Sequence, residues 1–455
     1  MADGAPHPPK RVYIPDFDIE DFEEYRVGGY HPTVIGDVFD NGRYEVVHKL
    51  GSGGYSTTWL ARDKDTEHYV ALKIPRASEA SKSTEADILR LLSDSTSGHK
   101  GQRFVPRLLD EFAFDGPNGH HVCLVQEAAI CSIARSKEDA AADFMFPVET
   151  ARSIAAQLIL GLSYLHSRGV CHGGKKVRNS ILLLDHLINL LQSDLHMRNL
   201  LINGPNIDHL SPNDIHKRYG VCKGPVRRVD GAAVAPHAPS YGVHPLHITT
   251  RANELVNPIV KITDYGTSFI TTRKTSPKLY TPTLYLPPEA FFHEPVTLAA
   301  DVWTLGVNLY EVLGERPLFE TFGSDPDDVI REIINTLGRP PQRWWDNWAA
   351  RGEVFGEDGS WKTPYLGCGR VYTPAFRRLH QRMWEMGRGE TPETCQWDVE
   401  GGEMRALEDM LRGMMAFEPK ERLTAENLVR SEYMVKWALP AWDRQLSRLE
   451  ETAAE

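Results

Sequence analysis

LGSGGYSTTWLARDKDTEHYVALKI, residues 50–74, sets three glycines between runs that read as strands. RYEVVHKL before the glycines, and STTWLARD and HYVALKI after them, alternate side-chain character and favour β-branched residues, which predicts a small antiparallel sheet. Gly51, Gly53 and Gly54 let backbone N–H groups approach a phosphate closely. That makes Leu50, Gly51, Ser52, Gly53, Gly54, Tyr55, Ser56, Thr57 and Thr58 candidate phosphate-loop residues. A glycine hairpin is common and says little alone. Its weight comes from Lys73 on the next strand, whose ammonium can hold phosphates, and from Glu85 in the helical segment STEADILRLL, at a distance suited to pairing with that lysine.

Outward from this stretch the character changes. HVCLVQE reads as a further strand, whereas ETARSIAAQLILGLSYLHSRG and DVWTLGVNLYEVLG carry apolar residues at helical spacing. A sheet-rich part, about 43–128, therefore precedes a helix-rich part, about 129–436. The expected fold is α+β with two lobes. Residues 1–24, proline-rich and then acidic, read as a flexible arm; 203–258, rich in Pro, Gly and His, as a long irregular insert; and 437–455 as a C-terminal tail.

The composition of the 455 residues, 41% hydrophobic and 25% charged, is that of a soluble globular protein. A net charge of −11 argues against a general nucleic-acid binder and leaves room for a basic protein partner. Six scattered cysteines without a C-x-x-C pair predict reduced thiols and a cytoplasmic or nuclear protein. No secretory pattern opens the chain, and its longest apolar run, 181–191, is too short to span a bilayer. A monomer without membrane contact is expected.

Two further segments carry chemistry. Asp194 and Asn199 lie five residues apart in DLHMRN; an aspartate can accept a hydroxyl proton and an asparagine oxygen can bind Mg²⁺. KITDYGTSF supplies Asp264, a second hard oxygen ligand, in a strand-to-turn setting. Any one Asp or Asn here is more often a turn residue. Five such elements in one order are not.

The assembled order resembles the eukaryotic protein-kinase signature set. On that likeness Gly51 to Thr58 is the phosphate loop, with Ser56 in place of the third glycine and Thr58 in place of valine. Lys73 and Glu85 are the paired lysine and glutamate, and Glu127 to Ala129 the hinge that binds adenine, with Gln126 as gatekeeper. His172-Gly173, continued at Asp194 and Asn199, is the catalytic loop. Asp264-Tyr265-Gly266 is the metal-binding turn. Pro287-Pro288-Glu289 has Arg422 as its buried partner, and Asp301 to Gly306 opens the helix that supports the catalytic loop.

EYRVGGYHPTVIGDVFDNGRYEVVHKLG and GYSTTWLARD narrow the resemblance to the SR-protein-specific kinase family, in its fungal-type branch, over residues 22–436. It implies ATP and Mg²⁺ as cofactors, phosphorylation of serines in Arg-Ser-rich proteins, and an acidic docking groove. Asp328 matches a groove aspartate of the family, but Asn335 stands at its second acidic position, with Asp325, Asp327 and Glu332 nearby. Gly173 replaces the arginine that meets a phosphorylated activation loop, and His196 the lysine that meets the γ-phosphate. Two rivals remain. Small-molecule kinases share H-G-D-L-H-x-x-N but lack the P-P-E segment, and a pseudokinase would bind nucleotide without transferring phosphate.

Residues 174–193, GKKVRNSILLLDHLINLLQS, interrupt the catalytic loop and are the best argument for the second rival. One account is a surface insertion with Ile181, Leu184, Leu187, Ile188 and Leu191 on one helical face. The preferred account is a short in-frame unspliced intron. Its removal restores CHG-DLHMRNLLI, and Gly174-Lys175 and Ser193-Asp194 can be encoded with a GTAAG start and a CAG end. Closing such a loop costs roughly 2–3 kcal/mol, whereas misplacing the base by about 1 Å can cost on the order of a hundredfold in rate.

Overall fold

The computed structural model of the protein describes residues 11–80, 84–94, 97–129, 131–140, 144–173, 195–272, 282–321, 325–358, 360, 362, 365–367, 370–372 and 377–454. The N-terminal lobe is a six-stranded antiparallel sheet. Its strands are β1 (Val38–Phe39), β2 (Tyr44–Gly53), β3 (Ser56–Asp63), β4 (Tyr69–Pro75), β5 (Leu108–Gly116) and β6 (Gly119–Glu127), in the order β1-β2-β3-β4-β6-β5. Helix α1 (Glu85–Ser93) lies between β4 and β5 in sequence, its Ile88, Leu89 and Leu92 buried. Strand β4, YVALKIP, is buried almost throughout because it is central and covered on both faces. That placement is what gives Lys73 a fixed backbone.

The C-terminal lobe begins with β7 (Cys131–Ser132), α2 (Ile133–Asp139) and α3 (Val148–Ser167). Short strands follow: β8 (Val170–Cys171), β9 (Leu200–Ile202) and, beyond α4 (Pro212–Tyr219), β10 (Lys223–Pro225), β11 (Tyr241–Val243), β12 (Val260–Ile262) and β13 (Phe269–Ile270). Helices α5 (Pro288–Phe291), α6 (Leu298–Leu313) and α7 (Pro326–Leu337) come next. Helices α3 and α6 are buried nearly all round and form the centre of the lobe. A bidentate pair fastens the lobe. Arg422 donates to Glu289 at 2.7 and 2.5 Å with both side chains wholly buried, and also donates to the carbonyls of Ala416, Phe417 and Ala299.

Three expectations need correction. The arm 1–24 is not flexible over its second half. Tyr13 and Phe22 are buried against Tyr25, Tyr30, Val226 and Ala238, and Tyr13 bridges to Arg228. Apolar side chains spaced among the acidic residues supply the adhesion that composition concealed. The insert 203–258 is not irregular throughout. It holds α4, capped by Ser211, and the β10–β11 pair, and it climbs the sheet: His216 Nε2 meets the Val47 carbonyl at 2.7 Å, and the Leu246 N–H donates to Lys49 at 2.7 Å. The tail 437–455 contains helix Leu439–Ala454, which packs on α3 through Ser153 and Gln445 at 2.6 Å and sets Trp442 edge-on to Phe104.

Truncating Arg422 leaves Glu289 buried and uncompensated. Arg422→Ala is expected to lower the unfolding free energy by about 3–5 kcal/mol, read as a shift of the denaturant midpoint with an unchanged slope.

Candidate active site

Lys73 projects from β4 opposite Thr58 of β3, so the strand leaving the glycine hairpin is paired directly with the lysine. Its Nζ donates to Glu85 Oε1 at 2.6 Å and to Asp264 Oδ1 at 2.7 Å. Burial opposes the ammonium charge, but Asp264 and Glu85 outweigh it and hold Lys73 above its ordinary value. The same contact works in reverse: burial disfavours the Asp264 carboxylate, and Lys73 more than compensates, so the group sits below the usual carboxylate range. Both partners are therefore ionised at neutral pH.

Asp264 follows β12 with φ +68°, a left-handed conformation rare outside glycine. The neighbouring backbone imposes it. Thr263 donates through its N–H and hydroxyl to the Asn199 carbonyl at 2.9 and 2.8 Å, and Tyr265 is buried with its hydroxyl on the Ile262 carbonyl at 2.7 Å. Asn199 Nδ2 lies 3.5 Å from Asp264 Oδ2, which brings the two candidate metal ligands together. Mg²⁺ typically takes one or two protein carboxylates and fills its shell with phosphate and water oxygens, and this donor pair fits that habit.

Asp194 and the segment 174–193 lie outside the described residues. The chain on either side of them is held by one face of α6. Asp301 accepts from the His172 N–H at 2.8 Å, the Gly173 N–H at 3.2 Å and His166 Nε2 at 3.1 Å. Seven residues on, and so on the same helical face, Asn308 Nδ2 donates to the Leu195 carbonyl at 2.9 Å. His172 is fully buried against the Tyr265 ring, with Nε2 on the Thr263 carbonyl at 3.0 Å and its own carbonyl accepting from Ser268 at 2.7 Å. Gly173 has φ +54°, and a Cβ there would meet the Phe269 ring at 3.0 Å. The start of the activation segment is thus tied down by packing and by the β8–β13 pair, Phe269 opposite Cys171, with no arginine at 173 to take part.

The remaining candidates lie on the sheet lobe and at its end. Leu50, Gly51, Ser52 and Gly53 end β2, Gly54 and Tyr55 form the turn, and Ser56, Thr57 and Thr58 begin β3. Glu127 ends β6 and Ala129 follows it, but the Glu127 carboxylate is committed to Lys261 at 2.7 Å, leaving the hinge its backbone groups. Asp328 is away from this cluster, in the first turn of α7, paired with Arg331 at 2.7 Å. The acidic neighbours are also engaged: Asp325 caps α7, Asp327 accepts from Trp348 Nε1 at 2.6 Å, and Glu332 pairs with buried Arg382. Lys261, Asn308 and Ser268 were not singled out from the sequence. Asn308 alone carried a signal, being a polar residue two turns on from Asp301 in a largely apolar helix.

A protein kinase domain matches residues 44–205 and 248–434, and the gap between those spans falls inside the insert. The chain is 28% identical over 431 residues to the serine/threonine-protein kinase SRPK of Physarum polycephalum, covering 92% of each. It is 26% identical over 497 residues to protein kinase dsk1 of Schizosaccharomyces pombe, covering 93% of this chain and 86% of that protein. With human SRSF protein kinase 3 it shares 38% identity over 175 residues, 37% of this chain and 30% of that one.

His196 is buried, and that burial pushes its imidazole down to about 4. An unfolded histidine titrates near 6.5. The unfolded state therefore binds the extra proton first, and the stability is complete above about 6.5 and lost as pH falls towards 4. At pH 5 the loss is about 2 kcal/mol by single-site linkage. Melting temperature against pH should fall on the acid side, and His196→Asn should flatten that limb.

Proposed function

We propose that this chain, which belongs to the protein kinase family, stands in the SR-protein kinase branch of that family, and that its residues divide the work as follows. As a serine/threonine protein kinase it transfers a phosphoryl group to a protein hydroxyl. ATP with Mg²⁺ is the donor in this reading, the metal neutralising phosphate charge when bound. Lys73, positioned by Glu85, holds phosphates. Asn199 and Asp264 hold metal. The hinge backbone at Glu127 to Ala129 takes the adenine. Asp194 orients the serine hydroxyl and accepts its proton as the oxygen attacks the γ-phosphorus and the bond to the bridging oxygen of ADP breaks.

The observation that carries this is the Lys73–Glu85–Asp264 cluster, closed at 2.6 and 2.7 Å. Positioning and charge are the main catalytic resources for phosphoryl transfer, and both are preset here. The pseudokinase reading finds no support, since the relatives are named kinases and the phosphate-binding lysine is fully engaged. Phosphorylation of an Arg-Ser peptide should be measurable and should fall on the order of a hundredfold in Lys73→Ala, in a variant shown to be folded. A folded wild-type chain that neither binds ATP nor phosphorylates the peptide overturns the reading.

For the substrate we take a basic, Arg-Ser-rich protein. The acidic total charge supports this, as do the names of the relatives, and Asp328 is the docking contact. Its carboxylate is already matched by Arg331, itself partly buried, so an incoming arginine exchanges one partner for another. The expected contribution is correspondingly small, and Asp328→Lys should raise KM for the Arg-Ser peptide about two- to fivefold while changing kcat less. Added salt should weaken the interaction in the same sense. Equal use of an acidic serine peptide would sink the substrate assignment.

A further inference from the structure

We propose that Tyr30, outside the nucleotide cleft and outside the matched kinase domain, is a positioning residue for the phosphate loop. Its hydroxyl donates to the Gly53 carbonyl at 2.6 Å, and the side chain is buried at 3% exposure. The peptide unit is planar and trans, so fixing the Gly53 carbonyl also fixes the Gly54 N–H, which points the opposite way. Tyr30 thus sets the direction of a loop N–H without touching the nucleotide. This deepens the reading of Gly51 to Thr58 as the phosphate loop, and rests on it.

Tyr30 is itself immobilised from several sides. Arg76 stacks on its ring at 4.7 Å, reaches the Tyr55 ring at the loop turn at 5.9 Å, and bonds Glu24 at 3.2 Å. Arg76 Nη2 also donates to the Tyr30 hydroxyl at 3.3 Å. Asn118, wholly buried, donates to the Tyr30 carbonyl at 2.5 Å. The chain just before Tyr30 is pinned by Gly28 and Gly29, whose carbonyls accept from Ser78 and Ala77 at 2.9 and 3.0 Å. Gly29 admits no side chain, because a Cβ would lie 1.8 Å from the Glu24 carbonyl oxygen. Segment Glu24 to Tyr30 is therefore a rigid bracket running from the strand end at Arg76 to the loop. Among the described residues, a Cβ at Gly51 or Gly53 would meet nothing within 4 Å, so no described side chain packs on the loop at those positions.

Tyr30→Phe removes the hydroxyl and keeps the ring. One hydrogen bond of this kind corresponds to about a three- to tenfold change in an equilibrium. The Kd and KM for ATP should rise by that factor with kcat changed less than about twofold, while binding of adenosine, which has no phosphates, stays at the wild-type value. Arg76→Gln, which acts on the same bracket and on Tyr55, should shift ATP in the same direction and spare adenosine. Unchanged ATP affinity in Tyr30→Phe overturns the proposal, as does an equal loss for ATP and adenosine, which would mark a general structural role. If the wild type binds adenosine but gains nothing from the phosphates, the phosphate-loop reading fails together with the bracket. If the wild type gains and Tyr30→Phe gains equally, only the bracket fails.

Discussion

A single buried carboxylate organises the catalytic region. Asp301, at the start of α6, accepts from the backbone of His172 and Gly173 and from His166. Burial opposes its charge, but these donors outweigh the penalty and hold it below the usual carboxylate range. A charge so deep in the lobe is tolerable only when its lone pairs are filled. That requirement fixes the backbone entering the catalytic loop. Through His172 it fixes Thr263 and Tyr265, and with them the left-handed Asp264 that meets Lys73. The sheet lobe and the helical lobe are joined at that point by the hydrogen bond from the Lys73 ammonium to Asp264, while its second bond, to Glu85, stays within the sheet lobe.

The two ends of the interrupted loop are anchored independently. Gly173 hangs from Asp301 and Leu195 from Asn308, two turns along one helix face. Covalent continuity from 173 to 194 is therefore not the sole restraint on the residue next to Leu195. This is the physical ground on which an inserted segment and a working cleft are compatible. The same economy appears at the activation segment, where Phe269 lies against Gly173 and occupies the direction a larger residue would take.

The N-terminal segment and the insert share one task. Tyr13, Phe22, Tyr25 and Tyr30 pack with Val226 and Ala238 into a cluster of their own on the sheet lobe. His237 and Asn118 meet at 2.7 Å, and His48 reaches the Gly220 carbonyl at 3.1 Å. Residues leaving the helical lobe after β9 thus travel over the sheet and return at β12. Such a strap couples the two lobes outside the cleft, and one of its members, Tyr30, ends on the phosphate loop.

Local chemistry in the sequence was enough to identify the strands around Gly51 to Gly54, the helices around Leu158 and Leu305, and the five candidate groups Lys73, Glu85, Asp194, Asn199 and Asp264. Glycine turns, period-two alternation and apolar helical spacing are properties of neighbouring residues, so no tertiary information is needed to read them. The pairing of Glu289 with Arg422 was legible from the motif alone, 133 residues apart. The roles of Asn308, Lys261 and Tyr30 depend on which surfaces meet, and an asparagine or tyrosine looks the same in sequence whether it bonds a distant carbonyl or water. The arm and the insert were misread for a related reason. Their apolar residues are too sparse to form a core alone and become adhesive only against each other and the sheet. The sequence by itself determined the class of chemistry and the order of its parts. The tertiary structure decided which buried polar groups satisfy one another, because that accounting closes only when residues far apart in the chain are brought within hydrogen-bond reach.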